Sequence, residues 1–412
     1  MYSILLALYF YPHQTFISFS YLIYSSNQRK NSKDCMKKTT GLKIVIVGII
    51  LLLETSSVRS AYENITYSVE SVDKNDFYYT YDDLTDLLSL LQTQYPGIFS
   101  YSSLTKTYQG RDVWLVKISD NVLMNESEPQ ILFMGGVHGN EKPGFQAVIY
   151  SLKSIVENST TPFVNESFTL RIRQIINSTE LFFIPMVNPD GIEASTRKNC
   201  RPNNCFFGQK KLCGVDINRN YDYNWEDVSS HPIRYIILPR SLEQLRILLS
   251  GDTNNYLFER TAVRFPITDF GSFFGLGFYR GPSAFSENES TAVREFIKKH
   301  HVTISVDYHS HGEKIHYPQP WNFTNPTDNT TFLSLAENIS KINGYTVIQR
   351  MNWSNLSGNY PYWAYMTYGV YPLTIELCKT KEQNQNPDAD YLVQLFYTHL
   401  LGNLYLAERT MI

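Results

Sequence analysis

The chain has 412 residues, of which 43% are hydrophobic and 18% charged, with a formal net charge of −3. That length suffices for one large domain or two small ones. The near-neutral balance offers no basic surface for nucleic acid or an anionic membrane, and no acidic excess of the kind that keeps a chain unfolded, so no nucleic-acid partner is expected.

The N-terminus reads as an export signal. Lys37, Lys38 and Lys43 precede the apolar run Ile44 to Leu53, and Val58-Arg-Ser60-Ala61 supplies the small residues that signal cleavage needs. Ten residues make roughly 15 Å of helix against about 30 Å of bilayer hydrocarbon, which favours cleavage over anchoring. Met36 directly precedes the lysines, so residues 1–60 are expected to be an N-terminal extension and signal peptide, the signal starting at Met36. The expected product, 61–412, is a secreted single domain without a stable membrane span. A type II membrane anchor is the alternative.

Eleven Asn-x-Ser/Thr sequons, at Asn64, Asn125, Asn158, Asn165, Asn177, Asn288, Asn322, Asn329, Asn338, Asn352 and Asn355, suit a glycosylated surface in such a product. Cys200, Cys205, Cys213 and Cys378 follow the cleavage point. The clustering of the first three predicts a local disulfide in an oxidising compartment; a structural zinc site is the rival, disfavoured by the lack of a C-x2-C pair.

Leu84, Leu87, Leu88 and Leu91 recur at helical spacing and stop at Pro96-Gly97. Trp114 to Ile118 and Ile131 to Met134 read as strands, and Phe145, Val148, Ile149, Leu152, Ile155 and Val156 as one helix face. Leu181 to Val187, Val302 to Asp307 and Leu373 to Leu377 are further strands, and a helical pattern from Tyr391 to about Ala407 closes the chain. Residues 226–272 break the rhythm, with Arg240, Leu242, Leu245, Leu248 and Leu249 at helical spacing, and are expected to be an insertion. Strands alternating with helices predict a layered α/β domain around a largely buried sheet.

Four predicted strands end in polar clusters. They lead to His138-Gly-Asn-Glu141, to Asn188-Pro-Asp-Gly191, to His309-Ser-His311 and to Glu376. In open α/β sheets the ligand crevice lies outside the carboxyl ends of the strands, so these clusters can meet in one site. Two histidines and a carboxylate suit a catalytic zinc, which takes three protein ligands and keeps a position open. His138 is the only one of nine histidines with an acidic residue three places on.

The combination carries a resemblance. Thr107 to Asp120, Gly136-Val-His-Gly-Asn-Glu141, Asn188-Pro-Asp-Gly191, Asp216-Ile-Asn-Arg-Asn220, Tyr279 to Ser286, Asp307-Tyr-His-Ser310 and Thr374-Ile-Glu376 stand in the order of the zinc metallocarboxypeptidases of the carboxypeptidase A kind. The chain resembles that family over roughly residues 77–408, apart from the insertion. The resemblance implies a three-layer α/β/α fold with a mixed, mostly parallel central sheet, and one zinc ion held by His138, Glu141 and His309. It implies that Asp216 orients the first histidine, and that Glu376 takes a proton from the attacking water and passes it to the leaving amine. It gives Arg197 the oxyanion, with Lys198 and Arg201 as alternatives, because Thr196 replaces the usual aromatic residue before that arginine. It gives Asn218 and Arg219 the substrate's terminal carboxylate.

The family's mobile tyrosine is not assigned in this chain, which leaves reduced activity and another tyrosine supplying the hydroxyl both open. Counting back from Glu376 reaches Ser354, beside Trp353, with Tyr360 and Tyr362 downstream. The stretch Asn359-Tyr-Pro-Tyr-Trp363 holds no acid, which implies neutral or apolar C-terminal residues. The expected partners are peptide or protein C-termini, and the expected state is a monomer without a large prosegment. Two other readings are a zinc amidohydrolase acting on small N-acyl amino acids and a weakly active or inactive secreted glycoprotein on the same scaffold.

Overall fold

A computed structural model describes residues 78–160, 166–200, 214–225, 235–238, 263–266, 279–318, 328–350, 358–385 and 389–410. The export signal with Met36, Arg201, Cys205, Cys213, Trp353, Ser354, the Arg240 to Leu249 pattern and the sequons at Asn64, Asn165, Asn322, Asn352 and Asn355 lie outside these residues.

The chain opens with helix α1 (Tyr81–Gln94). Thr80 caps it, accepting from the Asp83 amide while the Asp83 carboxylate accepts from the Thr80 amide, so two of the helix's orphan donors are satisfied reciprocally. Strands β1 (Phe99–Lys106), β2 (Asp112–Ile118) and β3 (Gln130–Gly135) follow, then helices α2 (Lys142–Thr160) and α3 (Glu166–Ile176), β4 (Glu180–Ile184) and the short helix α4 (Pro189–Glu193). A 3-10 turn covers Ile217–Arg219. β5 (Tyr235–Leu238) and β6 (Val263–Pro266) pair with each other as a separate antiparallel ribbon. Then come α5 (Asn288–Lys299), β7 (Val302–Ser310), β8 (Lys314–Pro318), α6 (Asp328–Asn343), β9 (Thr346–Arg350), α7 (Tyr360–Tyr368), β10 (Tyr371–Leu377), α8 (Lys381–Gln385) and α9 (Ala389–Ala407).

The main sheet has eight strands in the order β1-β2-β4-β3-β7-β10-β8-β9. The four strands expected to end in polar clusters, β4, β3, β7 and β10, are contiguous and mutually parallel. Their carboxyl ends therefore share one edge of the molecule. The period-2 alternation of side chains sorts the faces. Ile131, Phe133, Leu181, Phe183, Ile304 and Val306 join the core built with α1, α2, α3, α6 and α9. Leu132, Met134, Phe182 and Ile184 join the opposite core, with Val293 and Phe296 of α5 and Tyr360 and Trp363 of α7. This is the expected α/β/α sandwich with a mixed sheet.

Two strand boundaries differ from the sequence expectation. β4 stops at Ile184 rather than Val187, since Pro185 brings no N–H to the ladder. β7 runs on to Ser310, so His309 sits inside the strand rather than after it. Cys200 and Cys378 are free thiols, so the expected local disulfide does not include Cys200, whose Sγ points at the Asp190 carbonyl at 3.3 Å. Asn158 is also no surface sequon: it is buried in α2, where its amide donates to the Ser154 carbonyl at 2.8 Å. Among the described residues, no helix is long and apolar enough to cross a membrane.

Candidate metal centre

The turn between β3 and α2 carries His138 and Glu141. The Glu141 amide donates to the His138 carbonyl at 3.1 Å, which folds the four residues into one turn and aims both side chains the same way. His309 arrives from β7, 171 residues away. The three side chains are buried and converge: Nδ1 of His138 lies 3.0 Å from Glu141 Oε1, Nδ1 of His309 lies 2.9 Å from Glu141 Oε2, and the two Nδ1 atoms lie 3.0 Å apart.

The outer edges of both rings decide what this arrangement fits. Nε2 of His138 faces Asp216 Oδ1 at 3.2 Å, and Nε2 of His309 faces Asp307 Oδ2 at 2.8 Å. A carboxylate accepts and does not donate, so it holds the ring proton on Nε2 and leaves Nδ1 as a lone pair. Two Nδ1 lone pairs then point at each other beside a carboxylate, an arrangement that repels itself unless a cation lies between. Ligands on a tetrahedral zinc with bonds of 2.0–2.1 Å stand about 3.3 Å apart, close to the spacings seen. The donor set fits zinc.

The carboxylates are braced by a cation. Arg197 donates through Nε to Asp216 Oδ2 at 2.9 Å and points an Nη atom at Glu141 Oε1 at 3.3 Å. Burial alone drives the Asp216 carboxyl upward, but Arg197 and His138 outweigh it and hold the group far below the usual carboxylate range. That direction favours the anionic form of Asp216.

Glu376 stands opposite His309 in the parallel register of β10 and β7. Register partners on parallel strands point to the same face, about 4.8 Å apart. The carboxylate is half-buried and acts electrostatically on Arg197. Asp216 caps the 3-10 turn by accepting from the Asn218 amide at 3.1 Å, which sets the two residues behind it. Asn218 is turned inward: its Oδ1 accepts from the Tyr360 amide at 3.0 Å and the Asn359 side chain at 3.3 Å, and its Nδ2 lies 3.3 Å from His309 Nε2. Arg219 is half-buried and donates to the Asn218 carbonyl at 2.7 Å. Tyr360 and Tyr362, the tyrosines downstream of the expected mobile position, are buried in α7.

Sequence reasoning missed two partners. Asp307 is one of them; its signal is Asp-x-His on a strand, which puts carboxylate and ring on one face. Arg111 donates to the fully buried Asp190 at 2.8 Å, and the Gln109 amide donates to its other oxygen at 3.1 Å. That pair ties the Tyr108-Gln-Gly-Arg111 turn to the Asn188-Pro-Asp-Gly191 turn. No local pattern marks it, because the partners are 79 residues apart.

The zinc carboxypeptidase family model matches residues 84–236 and 277–399. The chain belongs to the zinc carboxypeptidase family. Zinc is that family's metal, and His138, Glu141 and His309 are the group of described residues whose chemistry suits it. A zinc carboxypeptidase of Saccharothrix mutabilis subsp. capreolus is 30% identical over 203 residues, 46% of this chain and 42% of that protein. The catalytic chain of human carboxypeptidase N is 30% identical over 145 residues, 35% of this chain and 30% of that one. The chain thus spans less than half the length of either relative. Carboxypeptidase B of Astacus astacus is 26% identical over 271 residues, 63% of this chain and 70% of that one. Among solved structures, carboxypeptidase A from Helicoverpa armigera shares the fold, with a TM-score of 0.60 at 19% identity over 88% of this chain and 80% of that one.

Proposed function

We propose that the chain is a secreted zinc metallocarboxypeptidase that hydrolyses the C-terminal peptide bond of peptides or proteins, releasing neutral or apolar residues. The observation that carries the reading is the register of Glu376 beside His309, which sets a carboxylate outside the ligand set at the same strand end as the His138–Glu141–His309 triad. A structural zinc site needs no such neighbour; a hydrolase needs a base there.

His138, Glu141 and His309 hold the zinc, which when bound supplies a Lewis acid for the scissile carbonyl. Glu376 takes the proton of the attacking water and returns it to the leaving amine. Arg197 aims charged N–H donors at the oxyanion that develops. Arg219, whose guanidinium donates to the Asn218 carbonyl, receives the terminal carboxylate of the substrate, for which a planar guanidinium is suited. That last contact makes the enzyme an exopeptidase. The Lys37 to Ala61 signal pattern and the exposed sequons at Asn125 and Asn177 support export.

The test is release of C-terminal amino acids from peptides that differ only in their last residue, with and without a zinc chelator. Release is expected for neutral and apolar ends and abolished by the chelator; no release from any peptide sinks the reading. Glu376→Gln is expected to lower kcat by about 10²–10⁴-fold with zinc retained. Full activity in that variant removes Glu376 from the mechanism.

A further inference from the structure

His138 and His309 are oriented alike, each by a carboxylate on its outer nitrogen, and the bond on His309 is the shorter at 2.8 Å against 3.2 Å. Ser305, Asp307 and His309 are alternate residues of β7, so all three side chains point to the face that packs on α5 and α7. They form a polar column through an otherwise apolar layer: Ser305 is fully buried, and Asp307 and His309 nearly so. The buried Tyr360 hydroxyl lies near Ser305 and Asp307, and Oδ1 of Asp307 makes no hydrogen bond among the described residues, so Oδ2 carries its one side-chain bond, to His309. Burying a carboxylate beside aromatic side chains costs several kcal/mol unless it is paired, so its placement calls for a partner that gains from it. The ring of His309 is that partner.

Two groups compete for His309 Nε2. Asn218 brings Nδ2, a donor, to 3.3 Å, and the amide is locked in that sense because its Oδ1 accepts from the Tyr360 amide. Asp307 brings an acceptor to 2.8 Å. The two demand opposite tautomers, and the shorter, charge-assisted bond wins. The Nε2 proton goes to Asp307, and Nδ1 faces the metal.

We propose that Asp307 is a positioning residue for the zinc site, holding His309 in the Nε2–H tautomer with Nδ1 turned to the metal. This rests on the zinc reading of the triad.

The test is zinc affinity, measured by competition with a chromogenic chelator on the full chain, for wild type, Asp307→Asn and Asp307→Ala. Each substitution is expected to weaken zinc binding by about 10–100-fold. Nitrogen-15 spectra of the His309 ring in the zinc-loaded wild type are expected to show the proton on Nε2. Wild type that binds no zinc overturns the zinc reading and this inference together. Wild type that binds while both variants match it within twofold, or a His309 ring with its proton on Nδ1, overturns this inference alone. If the Asp307 variants do not fold, the nitrogen-15 spectrum of the zinc-loaded wild type carries the test alone, and a His309 proton on Nδ1 overturns the proposal.

Discussion

Arg197 shows how much one side chain in this site is asked to do. Its guanidinium spans Asp216, which orients His138, and Glu141, which completes the triad. Truncating it removes the donor proposed for the oxyanion and takes a cationic partner from two buried carboxylates. Arg197→Ala is expected to lower kcat by about 10²–10³-fold, as loss of an oxyanion donor does. It is also expected to weaken zinc binding, so measuring kcat at saturating zinc separates the two effects. Arg197→Lys is expected to recover little, because an ammonium cannot bridge two carboxylates as a planar fork does.

Glu289 is a residue of a different kind. It lies fully buried in the first turn of α5, and burial, with Glu287 and Asp190 adding repulsion, pushes its carboxyl up to about 8. A carboxyl raised above its unfolded value is protonated in the folded chain where the unfolded chain has lost the proton. Stability therefore falls as pH rises through the interval from the ordinary carboxyl value to about 8, and levels off above it. Glu289→Gln is expected to flatten that slope. Thermal midpoints of variant and wild type across pH 5 to 9 check it; parallel curves count against the buried charge.

At the scale of elements, the site depends on close approach between turns that no single strand or helix contains. A side chain at Gly139 would meet the Gly191 carbonyl carbon at 2.0 Å and its oxygen at 2.3 Å, so the His138–Glu141 turn lies directly on the Asn188–Gly191 turn. Gly358 is held in the same way: a Cβ there would fall 1.9 Å from the Arg219 carbonyl oxygen, and its φ of +70-odd degrees belongs to the left-handed region. Backbone bonds from Tyr221 to Gly358 at 3.0 Å and from Gly358 to Tyr223 at 2.8 Å fasten the start of α7 to the turn that carries Arg219. Gly139→Ala is expected to push the two turns apart, lowering zinc affinity and the thermal midpoint together. Wild-type affinity in that variant contradicts the contact. The signature glycines of these motifs are therefore contacts between backbones, and the reason for them lies in the second element rather than the first.

At the scale of the whole molecule, zinc links segments that are far apart in the chain. His138 and His309 stand 171 residues apart and come from the β3–α2 turn and β7. A metal that binds the folded chain alone stabilises it by about 2.7 kcal/mol when present at a hundredfold its dissociation constant. Chelation is therefore expected to lower the unfolding midpoint, and added zinc to restore it, in a calorimetric scan. An unchanged midpoint after complete removal of zinc contradicts metal binding at the triad. The same long-range closure explains why the elements could be read locally while the orientation of the site's side chains could not.

The amphipathic stripe of Leu84 to Leu91, the short apolar strands at Ile131, Val302 and Leu373, and the closing helix were legible because each is a local period of side-chain burial. The triad and Glu376 were legible as polar residues at the ends of such strands, in a known order. Outside that reach lay everything that depends on which strand neighbours which. The contiguity of β4, β3, β7 and β10, the Arg111–Asp190 tie, the inward turn of Asn218 and the bond from Asp307 to His309 depend on pairings across tens to hundreds of residues. The sequence by itself marked His138, Glu141, His309 and Glu376 as candidates for the chemistry, since residue type and strand period are local properties. Only the tertiary structure decided how they are oriented, because a ring's tautomer and a carboxylate's charge are set by the neighbours that folding brings to them.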